Sequence, residues 1–178
     1  MKTLKSVDNK FKNLQILKDF PKLEELYLES NVITSIIGYE TLPKLRVLHL
    51  RKNRIEKIEE ELPPHEGLTC LNLRGNKIAT LEQVERLYAV FPNMVEINII
   101  GNSVEKIFPS PNLFIAEILI KNPKMKRISK VEINDPLRLE AVYLGKYRWT
   151  KLEEERKRKE EEERKKAEAE EAAAAKGE

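Results

Sequence analysis

A chain of 178 residues with 40% hydrophobic side chains can build one core, but its 35% of charged residues is well above the roughly 25% of an ordinary domain. The single cysteine, Cys70, excludes an intramolecular disulfide and predicts a reducing compartment. No apolar run approaches the ~20 residues of a membrane span, and residues 1–8 carry no apolar signal core, so a soluble intracellular protein is predicted. The net charge of +3 is uneven: residues 151–178 hold nine Lys/Arg against eleven Asp/Glu, which leaves +5 on residues 1–150. That mild excess is weaker than the dense basic stripe of a nucleic-acid binder.

From residue 23 one line of residues recurs four times. It reads Leu23-x-x-Leu26-x-Leu28-x-x-Asn31-x-Ile33, Leu45-x-x-Leu48-x-Leu50-x-x-Asn53-x-Ile55, Leu68-x-x-Leu71-x-Leu73-x-x-Asn76-x-Ile78 and Met94-x-x-Ile97-x-Ile99-x-x-Asn102-x-Val104. The asparagines step by 22, 23 and 26 residues, the period of a leucine-rich repeat. One period earlier, Leu4, Asn9, Phe11 and Leu14 fall in phase, with Ser6 where the third leucine belongs. The chain therefore begins inside a repeat, as a makeshift cap or with units ahead of it.

Within each unit the alternation sends Leu26 and Leu28 to one side and Glu25, Tyr27 and Glu29 to the other. One short strand cannot bury its leucines alone, so the units must stack into a curved parallel sheet. Each of Asn31, Asn53, Asn76 and Asn102 leaves its strand at a tight turn, where its amide can bond backbone groups of adjacent units. Replacing one by Ala is expected to cost ~1–3 kcal/mol, the penalty of buried groups left unpaired. Phe20-Pro21, Leu42-Pro43, Phe91-Pro92 and Asn122-Pro123 precede most strands, because proline ends the convex turn and launches extended chain. The third unit departs from this, reading Leu62-Pro63-Pro64-His65-Glu66-Gly67.

Leu81, Val84, Leu87, Tyr88 and Phe91 keep helical spacing and predict a convex helix of about three turns. Residues 109–133 read as a terminal cap, with the charge of Lys130 at a core position stopping further stacking. Asp135-Pro136 predicts a helix start, Asp as N-cap and Pro at the first helical position. Leu139, Val142, Tyr143 and Tyr147 then form a stripe expected to pack on the end of the solenoid. Beyond Trp149 the stripe gives way to Glu153–Lys157-type pairs in the favourable orientation, worth ~0.2–0.5 kcal/mol each. The organisation predicted is thus α/β: a leucine-rich-repeat domain over 1–133 and a C-terminal helix over 135–178, solvated beyond about residue 150 and fading into the Ala-rich end.

Catalytic, metal and cofactor constellations are not found: His49 and His65 stand apart, one Cys cannot make a zinc site, and no phosphate-binding glycine loop is present. A non-enzymatic protein without cofactor or small-molecule substrate is expected. What remains is the concave face, in three columns: Glu25, Val47, Cys70, Glu96; Tyr27, His49, Asn72, Asn98; and Glu29, Arg51, Arg74, Ile100. Tyr and Arg are the side chains most enriched at binding hot spots, so these residues are the predicted contacts for a partner protein. Cys70 reads as a half-buried filler.

The repeat with L-P-x-L between units resembles the intracellular class that includes a type-1 phosphatase regulatory subunit, an axonemal dynein light chain and a spliceosomal particle protein. Leu48-His49-Leu50-Arg51-Lys52-Asn53-Arg54-Ile55, Leu71-Asn72-Leu73-Arg74-Gly75-Asn76-Lys77-Ile78 and Asn122-Pro123-Lys124-Met125-Lys126-Arg127-Ile128 are similar to the leucine-rich repeat-containing protein 23 family. The resemblance implies a non-catalytic scaffold of the radial spoke, in the cytoplasm at the axoneme of a cilium or flagellum, with other spoke proteins as partners and no membrane. Phosphatase regulation and RNA-particle assembly are the alternatives from the same class. One departure is Ile128-Ser129, where caps of the class often carry Leu-Asp.

Overall fold

The computed structural model describes the backbone of residues 1–174 and the side chains of residues 1–166. Seven short strands follow one another in a single sheet: β1 (Thr3–Lys5), β2 (Glu25–Tyr27), β3 (Val47–His49), β4 (Cys70–Asn72), β5 (Glu96–Asn98), β6 (Arg127–Ile128) and β7 (Val131–Glu132). The first six run parallel, with Leu4, Leu26, Leu48, Leu71, Ile97 and Ile128 aligned rung on rung. From Leu26 to Ile128 this central row is buried, as are Leu28, Leu50, Leu73 and Ile99 beyond it and Leu23, Leu45, Leu68 and Met94 ahead of it. One continuous core threads the solenoid, which is why no unit stands alone.

The asparagine ladder closes each turn. Asn76 donates from Nδ2 to Leu50 O and Leu73 O, both at 2.9 Å, and its Oδ1 accepts from Ile55 N at 3.0 Å. Asn102 repeats the pattern toward Leu73, Ile99 and Ile78. The first unit lacks it: Asn9 is exposed and bonds only Ser6 Oγ and Val7 O. In each unit the residue before the asparagine is left-handed (Asp8, Ser30, Lys52, Gly75 and Gly101), which turns the chain out of the strand.

On the convex side, α1 (Leu81–Val90) starts at Thr80, whose side chain accepts from Gln83 N, and α2 (Pro111–Lys121) starts at Ser110, which accepts from Leu113 N ahead of Pro111. His65 occupies the place of Phe20, Leu42 and Phe91 in the third unit. It is buried against the rings of Tyr39 and Phe91, with Nε2 2.9 Å from Leu42 O. The Tyr39 hydroxyl donates to Pro63 O, and burial pushes its pKa up to about 12.

Three expectations need correction. The sheet does not end on a charge at Lys130. Ser129 and Lys130 are both left-handed (φ 48° and 75°), so the chain reverses and β7 pairs antiparallel with β6. The Ser129 hydroxyl also accepts from Ile99 N, the role a strand carbonyl plays one unit earlier. The last helix, α3 (Asp135–Ala174), is capped by Asn134, whose Oδ1 accepts from Leu137 N, so Asp135 lies inside the helix. Leu139, Val142, Tyr143 and Tyr147 do not pack on the solenoid but are exposed. The covered face carries Ala141, with Leu137 and Leu144 partly buried against the core.

Small residues explain that choice of face, since they let α3 lie close against α2. A Cβ on Gly145 would sit 3.6 Å from Ile120 Cγ1, an ordinary contact. Arg148 pairs with the buried Glu117 of α2, and Arg138 donates to Pro123 O and Met125 O. Gly145→Ala is therefore expected to stabilise the protein by about 0.5–1 kcal/mol, the helix-propensity gain with no clash to offset it. A rise in thermal midpoint checks this; a fall would mean the α2–α3 crossing has no room for a methyl group. Further along α3, Lys157 pairs with Glu153 and Lys165 with Glu161 across one turn, and Arg156 lies near both Glu153 and Glu160. The helix continues through Ala174; the remainder of the Ala-rich end expected to fade lies outside the described residues.

Candidate protein-docking face

The concave face is built by the residues that alternate with the buried leucines. Strand register places Thr3, Glu25, Val47, Cys70, Glu96 and Arg127 in one column, and Lys5, Tyr27, His49, Asn72 and Asn98 in the next. The strands are only three residues long, so Glu29, Arg51, Arg74 and Ile100 sit in the turns just beyond them. All twelve residues singled out from the sequence are half-buried and share this surface. Lys5, Arg127 and Lys130 were not among them. Lys5 and Arg127 follow from the parallel register of the first and last units, whereas Lys130 depends on the β6–β7 reversal, which the repeat pattern does not encode.

The face is internally organised. Tyr27 and His49 meet edge to face at 4.7 Å, and Lys5 Nζ lies 5.0 Å from the centre of the Tyr27 ring. The Tyr27 hydroxyl donates to Glu25 Oε2 at 3.3 Å, as does Thr3 Oγ1 at 3.2 Å. Asn72 and Asn98 turn their Oδ1 atoms back onto Arg74 N and Ile100 N, which fixes both amides. Glu96 is held by Arg127, which also bonds Glu132 of the hairpin. Among the described residues Arg74 has no carboxylate within ion-pair distance, and Arg51 Nε is buried without a partner. The N-terminal half of the face is thus acidic and aromatic, and its middle carries two guanidinium groups not matched by carboxylates.

A depression of about 180 Å³ lies over His49, Cys70, Asn72, Glu96, Asn98 and Arg127. Among the described residues no three His, Cys, Asp or Glu side chains gather as a metal site, and no helix is long and apolar enough to cross a membrane. Burial, and then the Glu96 carboxylate, push the Cys70 thiol up to about 11. Because the folded state holds that proton more tightly, the associated stability is complete below the ordinary thiol pKa and is lost as pH rises from about 9 toward 11. Alkylation of Cys70 at pH 8 is expected to run about 100-fold slower than that of an unhindered cysteine, since the thiolate fraction falls with the shift. A reaction trace at the free-cysteine rate would contradict this.

The family described as leucine-rich repeats, two copies, matches residues 21–64. Leucine-rich repeat-containing protein 23 of Xenopus tropicalis is 31% identical over 122 residues, which is 68% of this chain and 33% of that protein. The U2 small nuclear ribonucleoprotein A' of Emericella nidulans is 35% identical over 86 residues, covering 48% of this chain and 36% of that one. The chain thus spans about a third of the length of these relatives. In the crystal structure of the Drosophila melanogaster SNF/U2A' complex, one chain superposes with a TM-score of 0.66 at 23% identity, covering 84% of this chain and 86% of that one, a likeness of fold. Repeat pattern, rung-aligned parallel sheet and these matches agree: the chain is a leucine-rich-repeat protein, a curved solenoid similar over two thirds of its length to leucine-rich repeat-containing protein 23.

Proposed function

We propose that this protein is a non-catalytic scaffold that holds a partner protein along its concave face, and that it serves as a structural component of the radial spoke in motile cilia. The observation that carries the reading is the unbroken column Lys5, Tyr27, His49, Asn72, Asn98, flanked by Arg51 and Arg74. From Tyr27 onward it is half-buried, pre-ordered by its own hydrogen bonds and rich in hot-spot side chains, so a partner finds contacts already fixed and loses little entropy. The ciliary assignment draws on the similarity to leucine-rich repeat-containing protein 23. Its location would be the cytoplasmic axoneme, and its partners other spoke proteins.

A second reading, assembly of a ribonucleoprotein particle, is favoured by the similarity to the U2 protein A'. A phosphatase groove is supported less, because two of the face's carboxylates are engaged within the chain, Glu96 by Arg127 and Glu25 by Thr3 and Tyr27. Fractionation of native cells tests the set. Retention on salt-washed axonemes, lost in Tyr27→Ala/Arg74→Glu, is the expected result. Recovery only with small nuclear RNA would overturn it in favour of the particle, and extraction with soluble phosphatase would overturn it in favour of a regulatory subunit.

A further inference from the structure

Charge is not spread evenly over the turns that leave the strands. Arg51-Lys52-Asn53-Arg54-Ile55 and Arg74-Gly75-Asn76-Lys77-Ile78 hold five bases and no acid. The turns on either side, Glu29-Ser30-Asn31-Val32-Ile33 and Ile100-Gly101-Asn102-Ser103-Val104, hold no base. Lys52 N donates to Arg74 O at 2.8 Å, so the two basic turns are bonded neighbours, one rung of about 4.8 Å apart. Five like charges are thereby gathered at one edge of the concave face.

Nothing within the chain neutralises them. Among the described residues none of the five side chains makes a hydrogen bond or an ion pair, and Arg51 Nε is buried besides. The nearest acids are mostly engaged elsewhere. Glu29 Oε1 lies 3.5 Å from His49 Nδ1, Glu96 is held by Arg127, and Glu105 accepts from Gly101 N at 2.6 Å. Glu56 is exposed past Ile55, where the chain leaves for the convex side. A half-buried guanidinium with an unpaired donor destabilises the free protein, and a carboxylate brought from outside satisfies it.

We propose that these two turns anchor a short acidic segment of a partner protein, in which two or three Asp or Glu side chains meet Arg51 and Arg74 inside a rim of Lys52, Arg54 and Lys77. The inference rests on the concave docking reading and adds the chemistry of the partner. The length of the patch selects carboxylates over a nucleic acid. A phosphate backbone is held by a long track of cations, whereas here both adjoining turns bring no base and Glu29 opposes its passage. No aromatic ring stands among the five bases to stack a nucleobase, since Tyr27 is turned against His49. A second copy of this chain is disfavoured too, because glutamates of α3 such as Glu160 and Glu161 already lie beside Arg156 and Lys165 of their own helix.

Fluorescence anisotropy tests the anchor, with full-length protein and a labelled peptide carrying four Glu among Gly and Ser. The expected result is saturable binding, at least about tenfold weaker for the same peptide with Gln and in Arg51→Gln/Arg74→Gln. Lys124→Gln/Lys126→Gln removes equal charge where a strand begins and should change binding less than about twofold. No binding to the wild type, or equal weakening by the two double variants, would overturn the proposal. Tighter binding of oligouridine would overturn it in favour of a nucleic acid, and dimers that the Glu peptide dissociates would overturn it in favour of a second copy. The thermal midpoint of Arg51→Gln/Arg74→Gln should stay level, since neither side chain bonds within the chain; a fall of several degrees would assign both arginines to the fold instead and overturn it. Retention on salt-washed axonemes, expected to be lost in both Tyr27→Ala and the arginine variant, separates this inference from the one beneath it. Loss in Tyr27→Ala alone would overturn the acidic anchor and leave the docking face standing, whereas retention in both would remove the face itself.

Discussion

Gly38→Ala is expected to cost about 3 kcal/mol or more, read as a lowered denaturant midpoint at unchanged slope. Gly38 is buried at φ +108°, where an L side chain meets its own backbone at a cost of roughly 1–2 kcal/mol. A methyl group there would also lie 2.4 Å from Gln15 N and 2.6 Å from Leu14 C. Both are main-chain atoms of the preceding turn, so no rotamer change relieves the clash, and overpacking adds about 1–3 kcal/mol. The two turns are also stitched there by Leu14 N donating to Ile37 O, next to the buried Tyr39. Gly75 is the control. It too is left-handed, at φ +67°, but its nearest neighbour would be a Lys52 side-chain carbon at 3.7 Å. Gly75→Ala should therefore cost only the backbone term of about 1 kcal/mol. Equal losses in the two variants would show that the close approach at Gly38 contributes nothing.

The same contrast explains what could be read from the residues and what could not. Alternation around Leu26, Leu48, Leu71 and Ile97 determines both the buried row and its half-buried neighbours, because a one-residue slip would expose every leucine. The concave columns were legible for that reason. Left-handed turns were not, since the residue before each asparagine is Asp8, Ser30 or Lys52 as often as Gly75 or Gly101. Nor did the apolar stripe of α3 reveal its packing. A stripe says which face prefers cover, whereas Ala141 and Gly145 decide which face can come close to Ile120. Lys130 joined the site only through the β6–β7 reversal, which depends on two non-glycine residues in the left-handed region, whereas Arg127 stands in the column by the parallel register of β6 with β5.

Asn53→Ala should be as damaging as the glycine change, about 3 kcal/mol or more, at the top of the range expected from the sequence. Its Nδ2 donates to Leu28 O at 2.9 Å and Leu50 O at 3.0 Å, and its Oδ1 accepts from Ile33 N at 3.0 Å. Truncation leaves Leu28 O and Ile33 N of the preceding unit unpaired, each worth about 1–3 kcal/mol if water cannot enter, while Leu50 O keeps its bond from Asn76. Asn9→Ala should change stability by less than about 0.5 kcal/mol, because its bonds to Ser6 and Val7 are exposed and local. Asn31 falls between them, since it still bridges Ser6 O and Phe11 N but with one longer bond, at 3.3 Å. Asn53→Asp separates hydrogen bonding from volume. It keeps the acceptor for Ile33 N, loses both donors, and sets a carboxylate against two carbonyl oxygens. That carboxyl would hold its proton more tightly folded than unfolded, so the variant should regain stability as pH falls and lose it toward neutrality. A loss independent of pH, or one matched by Asn9→Ala, would mean that the ladder is ornament and that leucine packing alone holds the units in register.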